Sequence, residues 1–259
     1  MRYLGSKRRF MKQLTPILME HVDENTVFID AFCGGANVIS EIPHHRKWAF
    51  EINIYIVDLW KHLRENGMVG IPETVSEEMY YDVKHDYLTK GGKYPSYIIG
   101  YVGACCSYGS AWFNGYARYN PKKKEDHIRE AYNGLKKHVE NFKYLDNTVF
   151  LSDSYRRIES LQRQQGQNGH RYRFVIYCDP PYASKKKYES DFDNDTFWHW
   201  VRYMSTIDNV YVYVSEYEAP EDFECIWSQD KADGLSTTVE GRKQNRVCEK
   251  LFVYKDKKE

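Results

Sequence analysis

Arg173-Phe174-Val175-Ile176-Tyr177-Cys178-Asp179-Pro180-Pro181-Tyr182 is the stretch from which the chain is read. Residues 173–177, dominated by β-branched and aromatic side chains, predict a strand feeding a tight turn. Two consecutive prolines forbid both helix and ladder continuation, so the backbone after Asp179 is stiff and its carbonyls point outward. The result is a carboxylate, carbonyl oxygens with no competing donors and an aromatic face at the carboxyl end of a strand, where open α/β sheets bind their ligands. A target carrying an amino group on a flat ring fits these groups: Asp179 and the Pro180 carbonyl accept from the amine, and Tyr182 stacks on the ring.

The remaining strands and turns extend this reading. Val27-Phe28-Ile29-Asp30-Ala31-Phe32-Cys33-Gly34-Gly35-Ala36-Asn37 predicts a buried strand, a glycine turn and then a helix, with small residues that let backbone approach a ligand and a helix amide end behind them. Residues 48–53 predict a second strand. It ends at Glu51, about twenty residues past the glycine turn, the spacing at which dinucleotide folds place a ribose-binding acid. Residues 148–154 predict another strand ending in an acid, Asp153, and residues 209–215 and 247–254 predict the last two. Helices are expected over residues 10–21, 54–63, 75–88, 125–142 and 197–207, and a polar surface loop over residues 163–171.

Global charge announces no partner, since 37 basic residues balance 37 acidic ones. Its distribution is uneven: residues 87–145 hold ten Lys/Arg against four Asp/Glu, a net +6 offset by an acidic remainder. Within that segment Asn114-Gly115 is a hairpin-turn signal between aromatic strands. A hairpin carrying Trp112, Asn114, Tyr116 and Arg118, followed by Lys122, Lys123 and Lys124, suits a nucleic-acid groove, with bases read by Arg or Asn and phosphates held by Lys. The six cysteines contain no Cys-x-x-Cys, and no signal peptide or apolar run of membrane-spanning length is present; both point to reduced thiols in a cytosolic protein.

Asp179-Pro180-Pro181-Tyr182 behind an apolar strand is the catalytic signature of amino-methyltransferases acting on DNA. The chain resembles the adenine-specific (N6) DNA methyltransferases of the Dam-like group, in particular phage and prophage versions. The resemblance implies a Rossmann-like, S-adenosyl-L-methionine-dependent methyltransferase fold (α/β class), with residues 1–63 and 146–259 as the catalytic domain and 64–145 as an inserted helical and β-hairpin target-recognition domain. It implies that Tyr3, Gly5 and Lys7, matching Tyr-x-Gly-x-Lys, help hold the methionine part of the cofactor. Asp30, Phe32 and Gly34 match the Asp-x-Phe-x-Gly-x-Gly loop, with Gly35 beside them, whereas Ala36 stands where the family has its second glycine. Glu51 takes the ribose and Asp153 accepts from the adenine amine of the cofactor. The implied reaction is methylation of an adenine flipped out of duplex DNA, with no metal. Two alternatives stay open: methylation of cytosine N4 on the same fold, and a non-catalytic DNA-binding protein that keeps the scaffold.

Overall fold

A computed structural model describes residues 7–121, 125–140, 145–167, 172–181, 192–232 and 246–256. The chain divides into two compact units, Met1–Ile17 with Cys33–Ser154, and Leu18–Phe32 with Tyr155–Glu259.

In the first unit a 3-10 turn at Arg8–Phe10 leads into helix α1, Met11–Leu18. Strands β2 (Lys47–Glu51) and β3 (Thr148–Ser152) lie parallel, Lys47 opposite Thr148 and Glu51 opposite Ser152. Helix α2 (Ile54–Asn66) starts where Asn53 Oδ1 accepts from Tyr55 N at 3.0 Å, and it ends at Gly67 with φ 60°. It buries Ile56, Val57, Leu59, Trp60 and Leu63. The segment expected as an insertion, 64–145, supplies three more helices: α3 (Glu77–Thr89), capped by Ser76, α4 (Ser96–Cys105) and α5 (His127–Glu140). From Ile98 onward every residue of α4 is buried, as expected of a helix that is apolar all round. It crosses α2 at backbone distance, because a Cβ on Gly100 would stand 2.1 Å from the Tyr55 carbonyl oxygen.

The second unit holds β1 (Thr26–Asp30), β4 (Arg173–Cys178), β5 (Val210–Glu216), β6 (Phe223–Ala232) and β7 (Arg246–Tyr254), in the order β1-β4-β5-β7-β6. β1, β4 and β5 are parallel, and β7 runs antiparallel to both β5 and β6. β1 and β4 are neighbours although β2 and β3 intervene in the sequence. Near-continuous apolar burial along β1 and β4 suits strands covered on both faces. Helices α6 (Arg157–Gln167) and α7 (Asn194–Ser205) complete the unit. With seven strands among the described residues, this is a Rossmann-like α/β fold with a mostly parallel sheet. All six cysteines are free, and no helix of the described residues is long and apolar enough to cross a membrane.

Three expectations are corrected. No α-helix follows the glycine turn: residues 34–38 form successive turns and then a 3-10 turn at Ile39–Glu41. Pro43 follows within a few residues, and β-branched Val38, Ile39 and Ile42 are poor helix formers. The polar stretch from residue 163 is helical up to Gln167, since Gln and Arg propagate a helix well. Residues 107–121 make no aromatic strands: single bridges at Ser107–Tyr116 and Asn120–Glu125 tie a loop instead.

Candidate active site

The carboxyl ends of β1 and β4 bring two acids into one neighbourhood. Asp30 faces Tyr177 in the ladder, and the peptide after it donates from Ala31 N to Tyr177 O at 2.9 Å. Asp30 is buried, and its Oδ1 accepts from Phe32 N at 3.3 Å, which turns the chain sharply out of the strand. Asp179 is half-buried, Pro180 buried and Pro181 exposed; Tyr182 lies outside the described residues. The Cys178 thiol is pushed well above its ordinary value by burial first and then by the charges of Asp30 and Asp179. It therefore stays a protonated thiol, unsuited to act as a nucleophile.

Behind this edge, Phe32 stands half-buried in an aromatic group. Its ring centroid is 5.4 Å from Tyr155 and 5.8 Å from both Phe192 and Phe197. Tyr155 in turn meets Trp200 edge-on at 4.9 Å. Edge-to-face packing of this kind fixes ring orientation more tightly than area alone.

In the first unit the glycine turn is held from both sides of one peptide residue. Gly34 N donates to Glu51 Oε2 at 3.1 Å, and Gly34 O accepts from Trp60 Nε1 at 2.8 Å. Cys33 N donates to Phe50 O at 2.8 Å just before it. Gly34 has φ 44° and Ala36 φ 52°, so the turn needs a left-handed backbone at both, and Gly35 between them is buried. Glu51 Oε1 also accepts from Asn53 N at 2.9 Å. Burial raises the Glu51 carboxyl above its usual range, and bonds from the Asn53, Gly34 and Ile52 backbone oppose that rise. Asp153 sits one residue past the β2–β3 pair Glu51–Ser152, exposed, its Oδ1 accepting from Ser154 N at 2.7 Å. Lys7 is almost wholly buried, its carbonyl accepting from Phe10 N at 2.8 Å. Tyr3 and Gly5 lie outside the described residues.

The expected nucleic-acid residues separate into two groups. Trp112 is half-buried, stacked near Tyr55 and edge-on to Tyr87 at 5.5 Å, against Gly103 of α4. Tyr116 donates its hydroxyl to Val75 O at 2.7 Å. Both aromatics pack on their own unit. Asn114 and Arg118 are exposed; Arg118 pairs with Glu77, its Nε donating to Oε2 at 3.1 Å. Exposed Tyr108 and Tyr119 flank them, two aromatics the sequence reading did not single out. Lys122, Lys123 and Lys124 lie outside the described residues. Trp60 was also missed, and no local signal marks it: it meets Gly34 across 26 positions.

The family model described as D12 class N6 adenine-specific DNA methyltransferase matches residues 3–214. The Type II methyltransferase M.FokI of Planomicrobium okeanokoites is 24% identical over 197 residues, an alignment covering 70% of this chain and 28% of the relative. The chain thus spans less than a third of that relative's length. Among solved structures, two of the rRNA methyltransferase aviRa from Streptomyces viridochromogenes align over 98% of this chain and 86% of theirs, at 10% and 9% identity with TM-scores of 0.46 and 0.45.

Proposed function

Because the chain belongs to the D12 class of N6 adenine-specific DNA methyltransferases, we propose that it transfers a methyl group from S-adenosyl-L-methionine to the N6 amine of adenine in double-stranded DNA. The observation that carries this reading is Asp179, half-buried at the carboxyl end of β4 beside buried Asp30 on β1 and followed by two prolines. Pro180 and Pro181 have no N–H and a fixed φ, so they cannot continue the ladder as donors and they stiffen the segment that carries the Pro180 carbonyl. An adenine amine is a hydrogen-bond donor and a poor nucleophile, its lone pair being delocalised into the ring. Asp179 and the Pro180 carbonyl accept hydrogen bonds from its two N–H groups and favour a pyramidal nitrogen. They stabilise the positive charge that develops there as the N–CH3 bond forms and the sulfonium S–CH3 bond breaks; one proton then leaves the nitrogen after transfer. A base inside the duplex is out of reach, so the adenine flips into the site and stacks on Tyr182.

The donor set fits the cofactor. Glu51 and Asp153 are acceptors at the ends of paired strands β2 and β3, which supports reading them as partners of the ribose hydroxyls and the adenine amine of the cofactor. Gly34 and Gly35 allow close backbone approach, and Tyr3, Gly5, Lys7, Asp30 and Phe32 serve the remainder of the molecule. When bound, S-adenosylmethionine supplies an electrophilic methyl on a positively charged sulfur. In residues 64–145, Asn114 and Arg118 reach bases while Lys122, Lys123 and Lys124 hold phosphates; Trp112 and Tyr116 support the loop from beneath.

The test is tritiated methyl transfer to unmethylated duplex DNA followed by nucleoside analysis. Labelled N6-methyladenine is expected, with Asp179→Ala abolishing it and leaving DNA binding largely intact. Label in N4-methylcytosine would assign the other base, and activity surviving in Asp179→Ala would move the catalytic site elsewhere.

A further inference from the structure

We propose that Tyr177 and Ser215 form a positioning pair for the methyl-accepting site, their buried hydrogen bond fixing where Asp179 and the Pro180 carbonyl stand. The proposal rests on the methyltransferase reading above and goes to a question that reading leaves unaddressed: what holds Asp179 in place once the ladder has ended.

β4 ends at Cys178, and the last β4–β5 pair is Cys178–Val214. Pro180 and Pro181 then remove two backbone donors in succession, so the main chain beyond Cys178 cannot be secured by further ladder bonds through those residues. Tyr177, two positions earlier, stands on the same face of the strand as Asp179, because alternate residues of a strand share a face. Tyr177 is fully buried and bonded on both flanks. Its carbonyl accepts from Ala31 N at 2.9 Å, on the β1 side. Its hydroxyl donates to Ser215 Oγ at 3.0 Å, on the β5 side. Ser215 lies one residue beyond the last β4–β5 pair and is itself opposite Leu251 of β7, so the side-chain bond extends the connection past the point where backbone pairing stops.

The surroundings keep the Tyr177 hydroxyl protonated, so it always has a proton to donate. Burial first, then the charges of Asp179, Asp30 and Glu249, hold its hydroxyl well above the ordinary tyrosine range. A phenol that stays protonated retains a donor, and Ser215, 1% exposed, is the acceptor it meets. A buried hydroxyl without a partner is costly, whereas a phenylalanine would fill the same ring space without that cost. The hydroxyl therefore marks a bond with a purpose beyond packing. In-line transfer is sensitive to placement: an error of about 1 Å in a reacting group costs on the order of a hundredfold in rate.

The test compares Tyr177→Phe, Ser215→Ala and the double variant in steady-state methylation of unmethylated duplex DNA, at a temperature well below the measured unfolding midpoint of each. We expect each single variant to lower kcat about tenfold with KM for cofactor and for DNA within twofold, and the double variant to be no worse than either single one, as for two partners in one bond. A folded Tyr177→Phe enzyme with unchanged kcat overturns the proposal, as do losses confined to KM or losses that multiply in the double variant. Should Tyr177→Phe fail to fold, Ser215→Ala, which changes less buried volume, decides by the same split. If the wild-type protein labels no adenine, the methyltransferase reading falls and this proposal with it; labelled adenine from an unaffected pair of variants removes the positioning role alone.

Discussion

The indole N–H of Trp60 donates to the carbonyl of Gly34 at 2.8 Å while the Glu51 carboxylate accepts from the amide of that same glycine at 3.1 Å. Both polar groups of one peptide residue are thereby committed, one to the core of α2 and one to the end of β2. The turn is thus fixed by side chains that are themselves fixed, Trp60 being fully buried.

Trp60→Phe is expected to destabilise the protein by about 3 kcal/mol, from the carbonyl left without its donor and the space left by the smaller ring. Cofactor affinity should fall about tenfold, with kcat at saturating cofactor within twofold. Calorimetric titration with S-adenosylmethionine and urea unfolding measure the two effects. An unchanged dissociation constant would separate Trp60 from the turn's function.

Ala36 holds φ 52° with its side chain buried. Replacing it with glycine removes a left-handed strain of roughly 1–2 kcal/mol. That gain is offset by about 0.8 kcal/mol of lost methyl burial and by roughly 0.4–1 kcal/mol of unfolded-chain entropy. Ala36→Gly should therefore leave stability within about 1 kcal/mol. Ala36→Val puts a β-branched residue at positive φ and should cost about 2 kcal/mol or more. The two unfolding midpoints decide whether the turn, not the methyl, is what the position conserves in shape.

His138 of α5 supplies a pH dependence. Burial first, and nearby positive charge second, push its imidazole down to about 3 from 6.5. Between those values the unfolded chain binds a proton that the folded chain does not, so the contribution is fully present above pH 6.5 and is lost as pH falls toward 3. The span corresponds to stability on the order of 4 kcal/mol. Urea midpoints of wild type and His138→Gln, compared from pH 7 to pH 4, should converge with falling pH. Parallel curves would mean that His138 takes up its proton without unfolding.

Arg118 tests the proposed DNA surface. Arg118→Ala is expected to relax discrimination at one base position by roughly 1–3 kcal/mol if the guanidinium reads a base edge. Binding measured against a panel of singly substituted duplexes shows this as a loss at one position. Uniform weakening across the panel, with a flatter salt dependence, would assign Arg118 to a phosphate instead.

The strand ends that carry the candidate site were legible because local chemistry determines them. Two prolines after a strand-end aspartate leave little freedom to the backbone, and Glu51 is the last residue of β2. The glycine turn was legible too, but its sequel was not, since Pro43 limits the run after Ala36 to a 3-10 turn. The 107–121 loop shows tertiary context overriding local preference. Asn114-Gly115 does turn, Gly115 at φ 108°, yet Trp112 and Phe113 find partners in Tyr87 and α4 rather than in strands of their own. β6 went unread because only half its residues are apolar and most lie exposed, and pairing with β7 alone defines it. Trp60 was invisible for a related reason: a hydrogen bond to a distant carbonyl leaves no spacing to read.

β7 comes later in the sequence than β6 but lies between β6 and β5. During synthesis, then, β6 leaves the ribosome before the strand that joins it to the rest of its unit, and it must wait as an open edge. A nascent chain reaching Ala232 lacks the strand that pairs with β5 and with β6, and the arrival of residues 246–254 closes two ladders at once. Assembly of this edge is a single late event rather than a strand-by-strand addition, which makes the interval before it the one in which the nascent protein is most open to mispairing.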